Sequence, residues 1–171
     1  IEDEQVWNIV PHKQFIVFQT LDRLIIYNQV TRALTTFKPV SGILKVFVED
    51  DNIYYQDNNL SVYNILNEEG ILFLSAAELN NNQVVGLSIS SIGTLIATRE
   101  NGLLLKQNSV EPFNPVLSKQ LANDLVYSFT KTQSGQLVLG SVRNGVYILS
   151  ATAELIQHIG TDQDLLNNTV L

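Results

Sequence analysis

The chain has 171 residues, 45% of them hydrophobic and 16% charged, with a formal net charge of -7. That apolar content supplies a real core, and a charged fraction below the usual quarter or so of a soluble domain excludes a disordered polyelectrolyte. The acidic balance repels phosphate backbones and anionic lipid surfaces, so direct nucleic-acid contact is not expected, and the absence of Cys excludes a disulfide framework, a thiolate zinc site and a cysteine nucleophile.

No stretch approaches the roughly 20 apolar residues of a membrane span, and no signal peptide is visible. A start at Ile1, in a chain without Met, is expected of a trimmed or processed polypeptide.

In chain order, the segment EQVWNIV (4–10) reads as a strand. QFIVFQTLDRLIIYN (14–28) follows as strand, turn and strand, and RALTTF (32–37) as a fourth strand. The pattern then recurs. GILKVFVED (42–50) precedes NIYYQDNNLSVYNI (52–65) and GILFLS (70–75). QVVGLSIS (83–90) precedes TLIATRENGLLLKQN (94–108) and a weaker NSVEPF (108–113). DLVYSFTKT (124–132) precedes QLVLGSVRNGVYILS (136–150) and AELIQHI (153–159). Alternation such as Val126, Ser128 and Thr130 against Leu125, Tyr127 and Phe129 has the period of two that belongs to strands.

The second strand of each unit ends at Thr20, Asp57, Thr98 and Ser141, spaced by 37, 41 and 43 residues. That spacing matches the roughly 40–45 residues of a four-stranded propeller blade. The turns agree. Asn101-Gly102 and Asn144-Gly145 predict two-residue hairpins with both central residues at positive φ, and Asn58-Asn59 does the same job in the second unit. Gly93 and Gly135 mark the preceding turns, where Asp50-Asp51 and Pro11-His12 stand in the other units. One short helix is expected over 117–124, with Pro115 suiting its start.

The fold expected is therefore all-β: propeller blades at about 4–40, 41–80, 81–120 and 121–160. Residues 161–171 form the start of a further blade or a ring-closing strand. Because complete propellers hold typically about four to eight blades, a segment of a larger propeller is expected. An open edge exposes unpaired backbone groups, and a homodimer is one way of covering it.

At this point the residues resemble a known family. VWNIV, FIVFQT and LIIYN (6–28), NIYYQD, LIATRENGLLL, LVLGSVRNGVYIL and LIQHIGTDQDLLNNTVL (155–171) are similar to the two-component regulator propellers of Bacteroidetes sensors. The first two units lack the Gly-Leu of that repeat, and no unit keeps a Trp in its second strand. The resemblance implies a periplasmic input region of a hybrid histidine kinase or of a membrane-bound transcription regulator. It implies a neighbouring propeller and a triple-tyrosine immunoglobulin-like module in the same chain, one membrane helix, and an oligosaccharide ligand.

Residues that could carry chemistry read blandly. His12 and His158 are the only histidines and lack a third metal ligand nearby. Asp162-Gln163-Asp164 lacks the continuation of a calcium loop and reads as an inter-blade connection. Glu49-Asp50-Asp51 reads as a turn, and Asn80-Asn81-Asn82 as a solvated loop. No nucleophile elbow or phosphate-cradling glycine loop occurs, so no catalytic residue, metal or cofactor is expected. Among the aromatic residues, Trp7 and Tyr127 lie on first strands, which line a propeller channel, and are the candidates for stacking on a sugar. The expected function is non-enzymatic ligand sensing. The alternatives are an interaction scaffold and, less favoured, a propeller glycosidase or lyase.

Overall fold

The computed structural model describes residues 5–50, 52–66 and 69–170. The chain divides into two compact units, Ile1–Asn81 and Asn82–Leu171. Each holds two four-stranded sheets whose strands follow one another in chain order, as blades do. In the first unit, Asn8–His12 (β1), Phe15–Gln19 (β2), Leu24–Asn28 (β3) and Leu34–Phe37 (β4) make one blade. Lys45–Glu49 (β5), Asn52–Gln56 (β6), Val62–Leu66 (β7) and Glu69–Leu74 (β8) make the next.

The second unit holds Val84–Ser90 (β9), Gly93–Thr98 (β10), Gly102–Lys106 (β11) and Val110–Pro112 (β12). The helix Pro115–Asp124 (α1) leads to Val126–Lys131 (β13), Leu137–Ser141 (β14), Val146–Leu149 (β15) and Leu155–Ile159 (β16). The weakest sequence segment has become the three-residue β12. The helix begins at Pro115, where a missing N–H costs nothing, and the Asn114 side chain accepts from the Leu117 N–H.

Burial follows strand position. The central strand β10 is buried at Leu95, Ile96, Ala97 and Thr98 in succession. One core joins Leu95 and Leu103 of the third blade to Leu121 of α1 and to Val126, Leu139 and Tyr147 of the fourth. Each such aliphatic side chain contributes roughly 1.5–3 kcal/mol on burial. In the first unit Val17, Leu24 and Phe37 of one blade pack with Val46 and Tyr55 of the next.

The four residues that set the repeat register are all buried, at most 2% exposed, and they anchor the second turn of each blade. The Thr98 hydroxyl donates to the Gly102 carbonyl at 2.9 Å and accepts from the Asn101 N–H at 3.2 Å. Ser141 repeats this with Gly145 and Asn144. Thr20 does so with Arg23. Asp57 accepts from the N–H groups of Asn59 and Ser61.

These turns correct one expectation. Gly102 (φ 70) and Gly145 (φ 76) are left-handed, but Asn101 and Asn144 are not. Thr98 pairs with Gly102, so three residues form the loop and only the closing glycine needs positive φ. In the second blade neither Asn58 nor Asn59 is left-handed; Leu60 is, at φ 68.

The first turn is also displaced from its expected place. Pro11 and His12 continue β1 to its end, and the chain reverses at Lys13-Gln14, with Lys13 at φ 52. Pro11 is tolerated because β1 is an edge strand of its sheet and owes no second ladder of hydrogen bonds. The expected start of this strand at Glu4, and Asp51 of the following turn, lie outside the described residues.

Candidate functional site

Trp7 immediately precedes β1, where its N–H donates to the Gln19 carbonyl at 2.8 Å. The residue is 66% exposed. Tyr127 sits in β13 at a bulge, where the register slips between Val126 and Ser128. A bulge re-aims side chains, and Tyr127 stays 44% exposed, with the Arg99 guanidinium 5.6 Å from its ring centroid. Trp7 belongs to the first compact unit and Tyr127 to the second. Both rings thus present surface that a ligand could stack on.

Both histidines are absorbed by packing. His12 ends β1 and is buried. His158, on β16, stacks against Tyr147 with centroids 4.6 Å apart, and its Nε2–H donates to the Asn144 carbonyl. Tyr147 is fully buried. Its hydroxyl donates to Asp124 and accepts from Asn144 Nδ2 at 2.9 Å and Gln120 Nε2 at 3.0 Å. Burial, and then the bond to Asp124, push this phenol up to about 12. The group ties the end of α1 to the fourth blade.

Among the described residues no three His, Asp or Glu side chains lie close enough together to hold a metal ion. Asp162 and Asp164 are exposed in and just after a short 3-10 turn. Asn80 and Asn81 are exposed and left-handed, as a solvated loop predicts. Asn82 departs from it: this residue is buried, and its side chain accepts from the Glu100 N–H at 3.1 Å. Glu49 also departs, being buried at the end of β5.

A concavity lies elsewhere, within the first unit. A cleft of about 460 Å³ opens between the Phe37–Ser41 connection and the outer part of the second blade. Tyr55 and Tyr63 face each other across β6 and β7 and stack at 5.2 Å, tilted by only 14°. Phe37 meets Tyr55 at 5.3 Å and 57°. Burial, with Tyr63 and Asp57 adding to it, pushes the Tyr55 phenol up to about 12, so it stays a neutral hydroxyl.

At the rim, Lys38 Nζ lies 2.6 Å from Asp22 Oδ2. Lys38 and then Arg23 hold the Asp22 carboxyl down to about 2. The sequence pattern singles out neither tyrosine and does not group them with Phe37. The signal that could have found the pair is hairpin arithmetic: the turn at Asp57–Ser61 sets Tyr55 directly opposite Tyr63.

No family model matches the chain, and no curated protein matches it. Solved structures do. The extracellular domain of BT4673 from B. thetaiotaomicron, described as a one-component system, is 21% identical with a TM-score of 0.62, over 97% of this chain and 24% of that one. The extracellular domain of BT3049 from the same organism, described as a hybrid two-component system, is 18% identical with a TM-score of 0.61, over 96% and 23%. Streptogramin B lyase is 13% identical with a TM-score of 0.62, over 95% and 57%. The chain thus spans about a quarter of the length of the two extracellular domains. Together with four serial four-stranded antiparallel sheets, these likenesses establish the fold as all-β propeller blades.

Proposed function

We propose that this chain is a non-enzymatic ligand-sensing propeller module of a signal-transduction regulator, periplasmic, and responsive to a carbohydrate. The observation that carries the reading is its likeness, over nearly its whole length, to the extracellular domains of two B. thetaiotaomicron regulatory systems. Exposed Trp7 and Tyr127 supply aromatic faces of the kind a sugar stacks on. The ligand acts by favouring one of two arrangements of the regulator. A neighbouring propeller and an immunoglobulin-like module of the same chain are its structural partners in this reading.

A scaffold role is the second reading. It is favoured by the exposed apolar pairs Ile71 and Leu72 on β8 and Leu155 and Ile156 on β16, since contiguous exposed apolar surface marks interaction sites.

A melting screen against oligosaccharides tests the first reading, because a ligand selective for the folded state raises the midpoint. A rise with at least one oligosaccharide is expected, and a blank screen removes the carbohydrate. Translation of the gene on either side of this segment tests the regulator half. A membrane helix followed by a histidine kinase or a helix-turn-helix region is expected, and neighbouring catalytic modules in their place would overturn it.

A further inference from the structure

The cleft of Phe37, Tyr55 and Tyr63 has the parts of a binding site that neither Trp7 nor Tyr127 belongs to. Its volume, about 460 Å³, lies within the roughly 300–1,000 Å³ of small-molecule sites. Its wall is aromatic, with the Tyr55 ring in contact with both Phe37 and Tyr63. Tyr55 is only 4% exposed, yet its hydroxyl has no hydrogen-bond partner among the described residues and is not sealed off.

The Tyr55 hydroxyl lies over Gly70, where an added Cβ would stand 2.5 Å from the Tyr55 oxygen. Glycine at that place leaves room for the hydroxyl at the cleft, whose lining also includes Glu69.

We propose that this cleft is a ligand site for a neutral, hydroxylated ring, the chemistry of a single pyranose. The Tyr63 and Phe37 rings take the apolar C–H face of the sugar, as aromatic faces do. The Tyr55 hydroxyl donates to one sugar oxygen, and the Glu69 carboxylate accepts from a sugar hydroxyl. The pairing of Lys38 with Asp22 leaves that part of the rim without a free positive charge, which suits a neutral ligand over an anion. The shift of Tyr55 toward a higher proton affinity keeps the donor protonated at all physiological pH values. The assignment deepens the carbohydrate-sensing reading and places a sugar on the outer part of a blade, away from the first strands.

The test is a titration of the 15N-labelled full chain with methyl β-D-glucopyranoside and methyl β-D-galactopyranoside, with choline as a cationic probe of the same aromatic wall. Saturable shifts centred on the Tyr55, Tyr63 and Gly70 amides are expected with at least one glycoside. Tyr55→Phe keeps the rings and removes one hydrogen bond, so it should weaken binding about three- to ten-fold. Gly70→Ala should abolish it by displacing the hydroxyl. If Gly70→Ala does not fold, Tyr55→Phe alone decides.

Shifts centred on Trp7 or Tyr127 overturn the cleft while leaving carbohydrate sensing in place. So does an affinity indifferent to Tyr55→Phe. Binding of choline without a glycoside overturns the ligand class. Silence toward both glycosides overturns the site, whereas the sensing reading falls only when the oligosaccharide melting screen is blank as well.

Discussion

Gln19 of the first blade holds Val46 of the second through a side-chain clamp. Gln19 Oε1 accepts from the Val46 N–H at 3.2 Å while its Nε2 donates to the Leu44 carbonyl at 3.1 Å. Gln19 is 5% exposed and Val46 3%. An amide that offers both an acceptor and a donor satisfies two backbone groups of the neighbouring blade at a buried junction. Gln19→Leu, of similar size, leaves both groups unpaired at a cost of about 1–3 kcal/mol. Urea denaturation should show a lower midpoint with an unchanged slope. A midpoint equal to that of the parent chain would mean that water replaces the amide and that the clamp contributes nothing.

Gly86 of β9 and Phe129 of β13 touch across the third and fourth blades. A Cβ on Gly86 would collide with the Phe129 ring at Cγ and Cδ1. Gly86→Ala therefore overpacks a junction with no room to give, at about 1–3 kcal/mol. Phe129→Leu costs stability alone but should recover part of the loss when combined with Gly86→Ala. A double-mutant cycle measures this directly. Additive effects in the cycle would show that the clash relaxes through the backbone and not at the ring.

Tyr147 makes stability depend on alkaline pH. The unfolded phenol ionises near its ordinary value of 10.0, while in the fold Tyr147 and Tyr55 keep their protons up to about 12. Their contribution is therefore complete below about pH 10 and is lost as pH rises through about 12, because the unfolded chain then releases more protons. Tyr147→Phe strips Asp124, Asn144 and Gln120 of a shared partner and should lower stability by about 1–3 kcal/mol at neutral pH. It should also flatten the decline of the melting temperature between about pH 10 and 12. Parallel pH profiles for the two chains would contradict the assignment.

Thr98 and Ser141 test whether the repeat residues act as turn anchors. Thr98→Val keeps the shape of the side chain but removes the hydroxyl that holds Gly102 and Asn101. A loss of roughly 1–2 kcal/mol is expected, with a similar loss for Ser141→Ala. Amide exchange should accelerate first at Asn101 and Asn144, whose N–H groups these oxygens hold. Uniform acceleration over the whole chain would argue against a local role.

Strand order and blade number were legible in the chain because they rest on local information. The apolar alternation, the spacing of Thr20, Asp57, Thr98 and Ser141, and the glycines at 102 and 145 each act within a few residues, and Pro115 marks its helix in the same way. The turn at Lys13 escaped because Pro11 and His12 read as breakers, and only an edge position in a sheet makes Pro11 acceptable within a strand. Asn82 and Glu49 read as solvent-facing polar residues because burial is not a property of residue type. Gln19, Gly86 and the partners of Tyr147 escaped for a deeper reason. Their roles lie in contacts between residues far apart in sequence, and the chain pattern carries no record of which side chain meets which across a junction. The same holds for the cleft: hairpin register places Tyr55 opposite Tyr63, but only the packing of one blade on the next brings Phe37 to them and leaves a hydroxyl at the opening.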